Sequence, residues 1–210
     1  MRKLYPLIVI SALCAMANLP AAAEQTLVFM RHAEKPAEGL GQLTCQGLNR
    51  SLALPRVLKA KFRTPAAIFA PNPGYDKDDK GIRYNYVRPL ATVEPTAISL
   101  GLPVNTRYGF DEVAQLESAL QSPSLQDATV FIAWEHHLAR KAVQDLMDTI
   151  NLNTMDVSSV NPGPAKLPLW SDDDFDTLLV LHVNWTNGKP TASTVEHLSE
   201  GLNGLPSVCP

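Results

Sequence analysis

Thr26-Leu27-Val28-Phe29-Met30 is an unbroken apolar run that ends in Arg31-His32-Ala33-Glu34. A strand with one wet face alternates apolar and polar side chains, so a run without a polar break belongs to a strand buried on both faces. Two more such runs follow, Ala66 to Ala70 and Thr129 to Trp134, and then Thr177–Trp185 and Thr191–His197, joined across the hairpin signal Asn187-Gly188. Between them lie helical patterns. Thr44 to about Lys61 carries leucines at 48, 52, 54 and 58 despite Pro55, Pro89–Leu100 starts on a proline and has a second at 95 that predicts a kink, and Asp111–Leu120 and Leu138–Ile150 follow. Strands alternating with helices and then a closing C-terminal hairpin predict an α/β three-layer sandwich. Tyr75 to Tyr86 is polar and charged, which predicts a solvated loop or a lid.

The 210 residues carry a formal charge of −3, are 45% hydrophobic and 19% charged, and include 3 Cys and 5 His. That length and balance suit one domain with a proper core and exclude wholesale disorder or a disulfide-packed miniprotein. Without a Lys/Arg block there is no footprint for nucleic acid, so none is expected as a partner. Met1-Arg2-Lys3, the apolar run from Leu4 to Ala17 and Ala21-Ala22-Ala23 have the form of a secretory signal over 1–23, cut before Glu24. The alternative is an uncleaved N-terminal anchor. Cleavage would leave residues 24–210 as a single domain of charge about −5, expected to be monomeric, periplasmic or secreted, with no membrane span. It would also remove Cys14, leaving Cys45 and Cys209. In an oxidising compartment these predict one disulfide that ties down the C-terminal tail, against two separate thiols.

Charged motifs follow each of the first three strands: Arg31-His32, then Pro71-Asn72-Pro73 leading to Arg88, then Glu135-His136-His137. Ligands of open α/β sheets bind beyond the carboxyl ends of the strands, so two histidines and two arginines converge on one pocket. Such a set suits an anion. Planar guanidinium groups hold phosphate oxygens, one imidazole can attack phosphorus, and the other can stabilise the equatorial charge.

With these residues in place the chain resembles the histidine phosphatase, or phosphoglycerate mutase-like, superfamily. Its RHG or RHA signature corresponds to Arg31-His32-Ala33-Glu34, its LTxxGxxR motif to Leu43-Thr44-Cys45-Gln46-Gly47-Leu48-Asn49-Arg50, its RxxxT element to Arg88-Pro89-Leu90-Ala91-Thr92, and its second histidine to His136. The resemblance implies a mostly parallel central sheet and a phosphoric monoester hydrolase of the histidine acid type, acting on a small phosphorylated substrate. His32 would be the phosphorylated nucleophile and Arg31, Arg88 and His136 the rest of the phosphate pocket, with no metal or other cofactor. An exported mutase would lack a substrate pool.

The chain departs from the pattern in two places: Val93 follows Thr92 where the family often has Ala, and His137 stands where some relatives place an Asp after the second His. The proton donor is therefore open between Glu135, the first choice, and Asp111 or Glu112. Strand alternation would turn Glu135 away from the pocket if the strand ran through His136. A substrate phosphate would push the Glu135 carboxyl upward by like charge. Arg83 rivals Arg88 on position and loses to it on the RxxxT spacing. Lys35 could add positive charge, while His137, His182, His197 and Cys45 read as neighbours or packing. Two other readings stand: a phosphate-ester-binding protein without turnover, and a metallohydrolase built on His32, Glu135, His136 and His137.

Overall fold

A computed structural model describes residues 21–154 and 166–210. The expected leader lies outside the described residues up to residue 20, as does Cys14. In chain order the elements are β1 (Ala22–Arg31), α1 (Cys45–Lys61), β2 (Ala67–Phe69), β3 (Asp76–Asp79), β4 (Ile82–Asn85), α2 (Arg88–Leu100), β5 (Val104–Asn105), α3 (Val113–Leu120), β6 (Thr129–Trp134), α4 (His136–Thr154), β7 (Thr177–Thr186) and β8 (Lys189–Ser199).

The main sheet runs β5-β2-β6-β1-β7-β8, parallel from β5 through β1 and antiparallel at the β7–β8 hairpin. Residue alternation along β1 builds both cores. Leu27 and Phe29 pack with α3 and α4 residues such as Leu116, Val143 and Leu146, while Val28 and Met30 pack with Leu54 and Leu58 of α1 and Val93 and Ala97 of α2. Each fully buried Leu, Val or Phe contributes about 1.5–3 kcal/mol relative to exposure. Helices on both faces of one sheet are the expected three layers.

Local differences have local causes. Pro55 and Pro95 each forfeit an N–H, yet α1 and α2 run through them because Leu54 and Leu58, or Val93 and Ala97, hold the surrounding turns in the core. Tyr75–Tyr86 is not a loop. It is the β3–β4 hairpin, closed at Lys80-Gly81, where φ is +57° and +84°, and Asp78 Oδ1 accepts from Gly81 N at 2.8 Å. Both central residues sit left-handed, the geometry that matches strand twist in a two-residue turn.

Cys45 and Cys209 are bonded across a sequence separation of 164, and Asn49 Nδ2 donates to Pro206 O and Val208 O, both at 2.8 Å. The tail is thereby fastened to the first turns of α1. Closing so long a loop stabilises the fold by about 5 kcal/mol in the chain-entropy limit. Replacing both cysteines by serine is expected to lower the denaturant midpoint without changing the fold, and an unchanged midpoint would contradict this role.

Candidate active site

The register Met30↔Ala133 and Arg31↔Trp134 brings the ends of β1 and β6 level, and His32 N–H donates to Trp134 O at 3.1 Å. His32 therefore leaves the sheet beside Glu135. Its Nδ1 lies 2.8 Å from Ala33 O, and because a carbonyl only accepts, Nδ1 carries the proton and Nε2 keeps its lone pair. Burial is the main reason the ring's pKa falls to about 3; the Ala33 hydrogen bond opposes this, and the charges of Arg88, Arg31 and His136 add to it.

Two motifs clamp the segment after His32. Thr92 Oγ1 accepts from Ala33 N at 2.8 Å, and Thr44 N donates to Glu34 O at 2.9 Å while the Thr44 hydroxyl caps α1 at Gly47 N. A Cβ on Gly47 would stand 2.4 Å from Glu34 O, so only glycine allows that approach. Arg50 lies outside the pocket: buried, it grips the Glu34 carboxylate from Nη2 at 2.8 Å and reaches Glu200 at 2.6 Å and Asp176 at 3.1 Å.

Both site arginines are buried, with relative exposures of 3% for Arg31 and 1% for Arg88. Arg31 Nη1 donates to Asp172 O at 2.6 Å, Asp174 O at 3.0 Å and Ser171 O at 3.3 Å, and its guanidinium stacks 3.8 Å over the Phe175 ring. Arg88 Nη1 donates to Asp79 Oδ2 at 2.7 Å and Gly39 O at 3.1 Å. The buried Nε atoms of both have no partner. Exposed Arg83, on β4, is not part of this arrangement.

Glu135 sits between β6 and α4 and caps the helix: its Oε2 accepts from Leu138 N at 3.0 Å and its carbonyl from Ala139 N at 2.7 Å. The strand ends at Trp134, so strand alternation does not govern where Glu135 points, and its side chain lines the cavity. His136 Nε2 donates to Asp172 Oδ1 at 2.7 Å. On its other side Nδ1 lies 2.8 Å from Glu135 Oε1, off the line of a hydrogen bond. Burial pushes the Glu135 carboxyl up, but His136, Lys77 and the Leu138 N–H together outweigh it and hold the pKa at about 2. With no substrate bound, the direction is opposite to the like-charge shift expected beside a phosphate.

The cavity, of about 580 Å³, is lined by His32, Arg31, Arg88, Glu135 and His136 together with Asp172, Asp173, Phe175, Lys35, Lys77 and Lys80. Asp111 and Glu112 do not line it, and Glu112 is engaged at Gly109 N. His137 is exposed and stacks on His136 with ring centroids 3.9 Å apart. One ligand atom each from Glu135, His136 and His137 falls within 4.8 Å of the others, a spacing that a metal ion could bridge. His182 contacts Thr26 and Glu24 on the sheet, far along β7 from the strand ends.

No family model matches this chain, and no curated protein matches its sequence. Solved structures do match. A candidate phosphohistidine phosphatase SixA from Nakamurella multipartitia shares 19% identity over 85% of this chain and 98% of its own, with a TM-score of 0.52. A mycobacterial glucosyl-3-phosphoglycerate phosphatase shares 13% over 83% and 98%, also at 0.52, and mycobacterial hydrolase 2 shares 14% over 82% and 89% at 0.52. The chain has the phosphoglycerate mutase-like fold of the histidine phosphatases.

In this phosphoglycerate mutase-like domain, the sequence concealed the groups that hold the arginines. Asp79 comes from the hairpin, and burial raises its carboxyl less than Arg88 and Lys35 lower it, so it stays ionised. Ser171 to Asp174 is an acidic irregular stretch that gives Arg31 its backbone carbonyls. Tyr86 is fully buried against His32 in an edge contact at 6.1 Å, with its hydroxyl pushed well above the usual range by burial.

NMR titration of the His32 ring is expected to show the Nδ1–H tautomer, neutral from pH 7 to pH 5 and titrating near 3. Because the folded pKa lies below the unfolded one, this group removes stability as pH falls from about 6.5 toward 3. A transition near 6.5 would contradict the burial and the hydrogen bond.

Proposed function

We propose that this protein is a phosphomonoesterase, exported to the periplasm or beyond, that hydrolyses its substrate through a phosphohistidine on His32. The observation that carries the reading is the convergence on one cavity of the Arg31 and Arg88 guanidinium groups with an imidazole whose free Nε2 is fixed by its tautomer. An oxyanion satisfies such donors, and a phosphoryl group also brings the electrophile that the free Nε2 needs.

In this mechanism the Arg31 and Arg88 guanidinium groups and His136 Nε2–H hold the phosphoryl oxygens, the last exchanging Asp172 for substrate. His32 Nε2 attacks phosphorus in line, the ester P–O bond breaks, and Glu135 delivers a proton to the departing alkoxide. Water, deprotonated by Glu135, then attacks the phosphohistidine, which releases phosphate and restores the ring. Glu135 is ionised before substrate binds, so its proton arrives with the substrate as a monoanion. Export is supported by the leader-like N-terminus and by the disulfide; no helix among the described residues is long and apolar enough to cross a membrane. Cleavage before Glu24 would leave Glu24↔Asn184 as the first β1–β7 pair.

Protein purified from the exported fraction, with Glu24 at its N-terminus by intact mass, is expected to hydrolyse p-nitrophenyl phosphate in the presence of chelator. His32→Ala should abolish turnover, and Arg88→Ala should lower kcat by about 10²–10³-fold. Glu135→Gln should slow an alkyl phosphate by roughly 10²–10⁴-fold while sparing the nitrophenyl ester, whose phenolate leaves unaided. Binding of phosphate without turnover would favour a catalytically inactive binding protein. Complete inhibition by chelator would favour a metal held by Glu135, His136 and His137. Equal slowing of both esters would remove Glu135 as the acid.

A further inference from the structure

The phosphoryl group accounts for Arg31, Arg88 and His136, but three lysines also line the cavity. Lys35 is matched: its Nζ lies 3.3 Å from Asp79 Oδ1, on the carboxylate that also holds Arg88. The other two come from the hairpin. Alternation along β3 puts Lys77 and Asp79 on one face and Asp76 and Asp78 on the other, where they serve Asn85 and Gly81. Asp79 is already committed to Arg88 and Lys35, so the hairpin's inner face offers Lys77 no counterion.

Among the described residues, Lys77 Nζ makes neither a hydrogen bond nor an ion pair. It rests 4.9 Å from the Phe110 ring centroid and 5.2 Å from that of Tyr86, half-buried. Burial, the largest influence, lowers its pKa; Glu135 is the charge that most opposes this, and that carboxylate is already shared with His136 and Leu138 N. A desolvated ammonium without a carboxylate is a position that an arriving anion would stabilise. Lys80 projects into the same cavity from the hairpin turn and likewise has no partner among the described residues. By contrast, the Asp172–Asp173 wall carries the opposite sign.

Resting on the phosphatase reading, we propose that this cavity selects phosphate esters bearing a second anionic group, a phosphate or a carboxylate, and that Lys77 and Lys80 receive it on the hairpin side. The asymmetry orients the substrate: the second anion lies toward β3–β4 and away from Asp172 and Asp173. The free cations raise kcat/KM for such esters, and salt weakens the preference.

Three esters with a common hexose 6-phosphate end test this: glucose 6-phosphate, 6-phosphogluconate and glucose 1,6-bisphosphate. In the wild-type protein at least one of the two esters with a second anionic group is expected to exceed glucose 6-phosphate in kcat/KM by about tenfold, and the two arms tell carboxylate from phosphate. The Lys77→Met/Lys80→Met variant should bring that ratio close to one. Any effect of Lys77 on Glu135 applies to all three esters and cancels in the ratio. Lys80→Gln, in an exposed turn that tolerates it, should cut the ratio by roughly two- to threefold on its own. Equal kcat/KM for all three, or a preference that survives the double variant, overturns the inference. Turnover of p-nitrophenyl phosphate in the same preparation separates that failure from failure of the phosphatase reading; if no ester is turned over, both fall.

Discussion

Two buried guanidinium groups, Arg31 at the end of β1 and Arg88 at the start of α2, impose most of what surrounds the cavity. Stripping a guanidinium of water costs several kcal/mol unless its donors are engaged. Arg31 is held by the carbonyls of the 171–174 segment and by Phe175, and Arg88 by Asp79 and Gly39. Each support takes Nη1 and leaves Nε without a partner. The 171–175 turn and the β3–β4 hairpin therefore do more than cover the strand ends. They fix two positive charges at the wall of the cavity.

His32 is held by a separate set of contacts. Ala33 N–H and Glu34 O, the backbone on either side of the Ala33–Glu34 peptide, are fastened to Thr92 and Thr44, and the Glu34 side chain is fastened to Arg50. Arg50 in turn gathers Asp176 and Glu200 at the open end of the β7–β8 hairpin. Burial pushes Glu200 up to about 7, against the pull of Arg50 and with the like charges of Asp176 and Glu34 adding to it. Three carboxylates around one guanidinium thus share its charge unevenly. The disulfide between Cys45 and Cys209 closes the same corner of the molecule, where α1 begins. The C-terminal hairpin and tail thereby support the loop that carries His32.

Much of this was legible in the sequence because it rests on local rules. Unbroken apolar runs marked β6 and the C-terminal half of β1, which begins earlier, at Ala22, in a stretch read as leader; Thr44 marked the start of α1, and Asn187-Gly188 marked the β7–β8 turn. His32, Arg31 and His136 could be singled out because they follow strands whose carboxyl ends must converge, whereas Arg88 was told from Arg83 by the RxxxT spacing of the resemblance. The hairpin at Tyr75–Tyr86 was not legible: its first strand is charged at every position, both strands are only four residues long, and its turn uses Lys80 at a left-handed position that asparagine or glycine usually takes. The supports of Arg31 were hidden for another reason. They are backbone carbonyls about 140 residues away, and side-chain identity carries no signal for them. The state of Glu135 also depended on a tertiary fact, the end of β6 at Trp134, which makes Glu135 a helix cap.

The proposed phosphoryl transfer to His32 Nε2 can be tested directly. Wild-type protein mixed with excess p-nitrophenyl phosphate, quenched within milliseconds into alkaline denaturant, then digested and read by fragment mass spectrometry, is expected to carry acid-labile phosphate on His32 in proportion to a burst of nitrophenolate. A nitrophenolate burst with His32 unmodified, or with the phosphate on any other residue, would contradict the account.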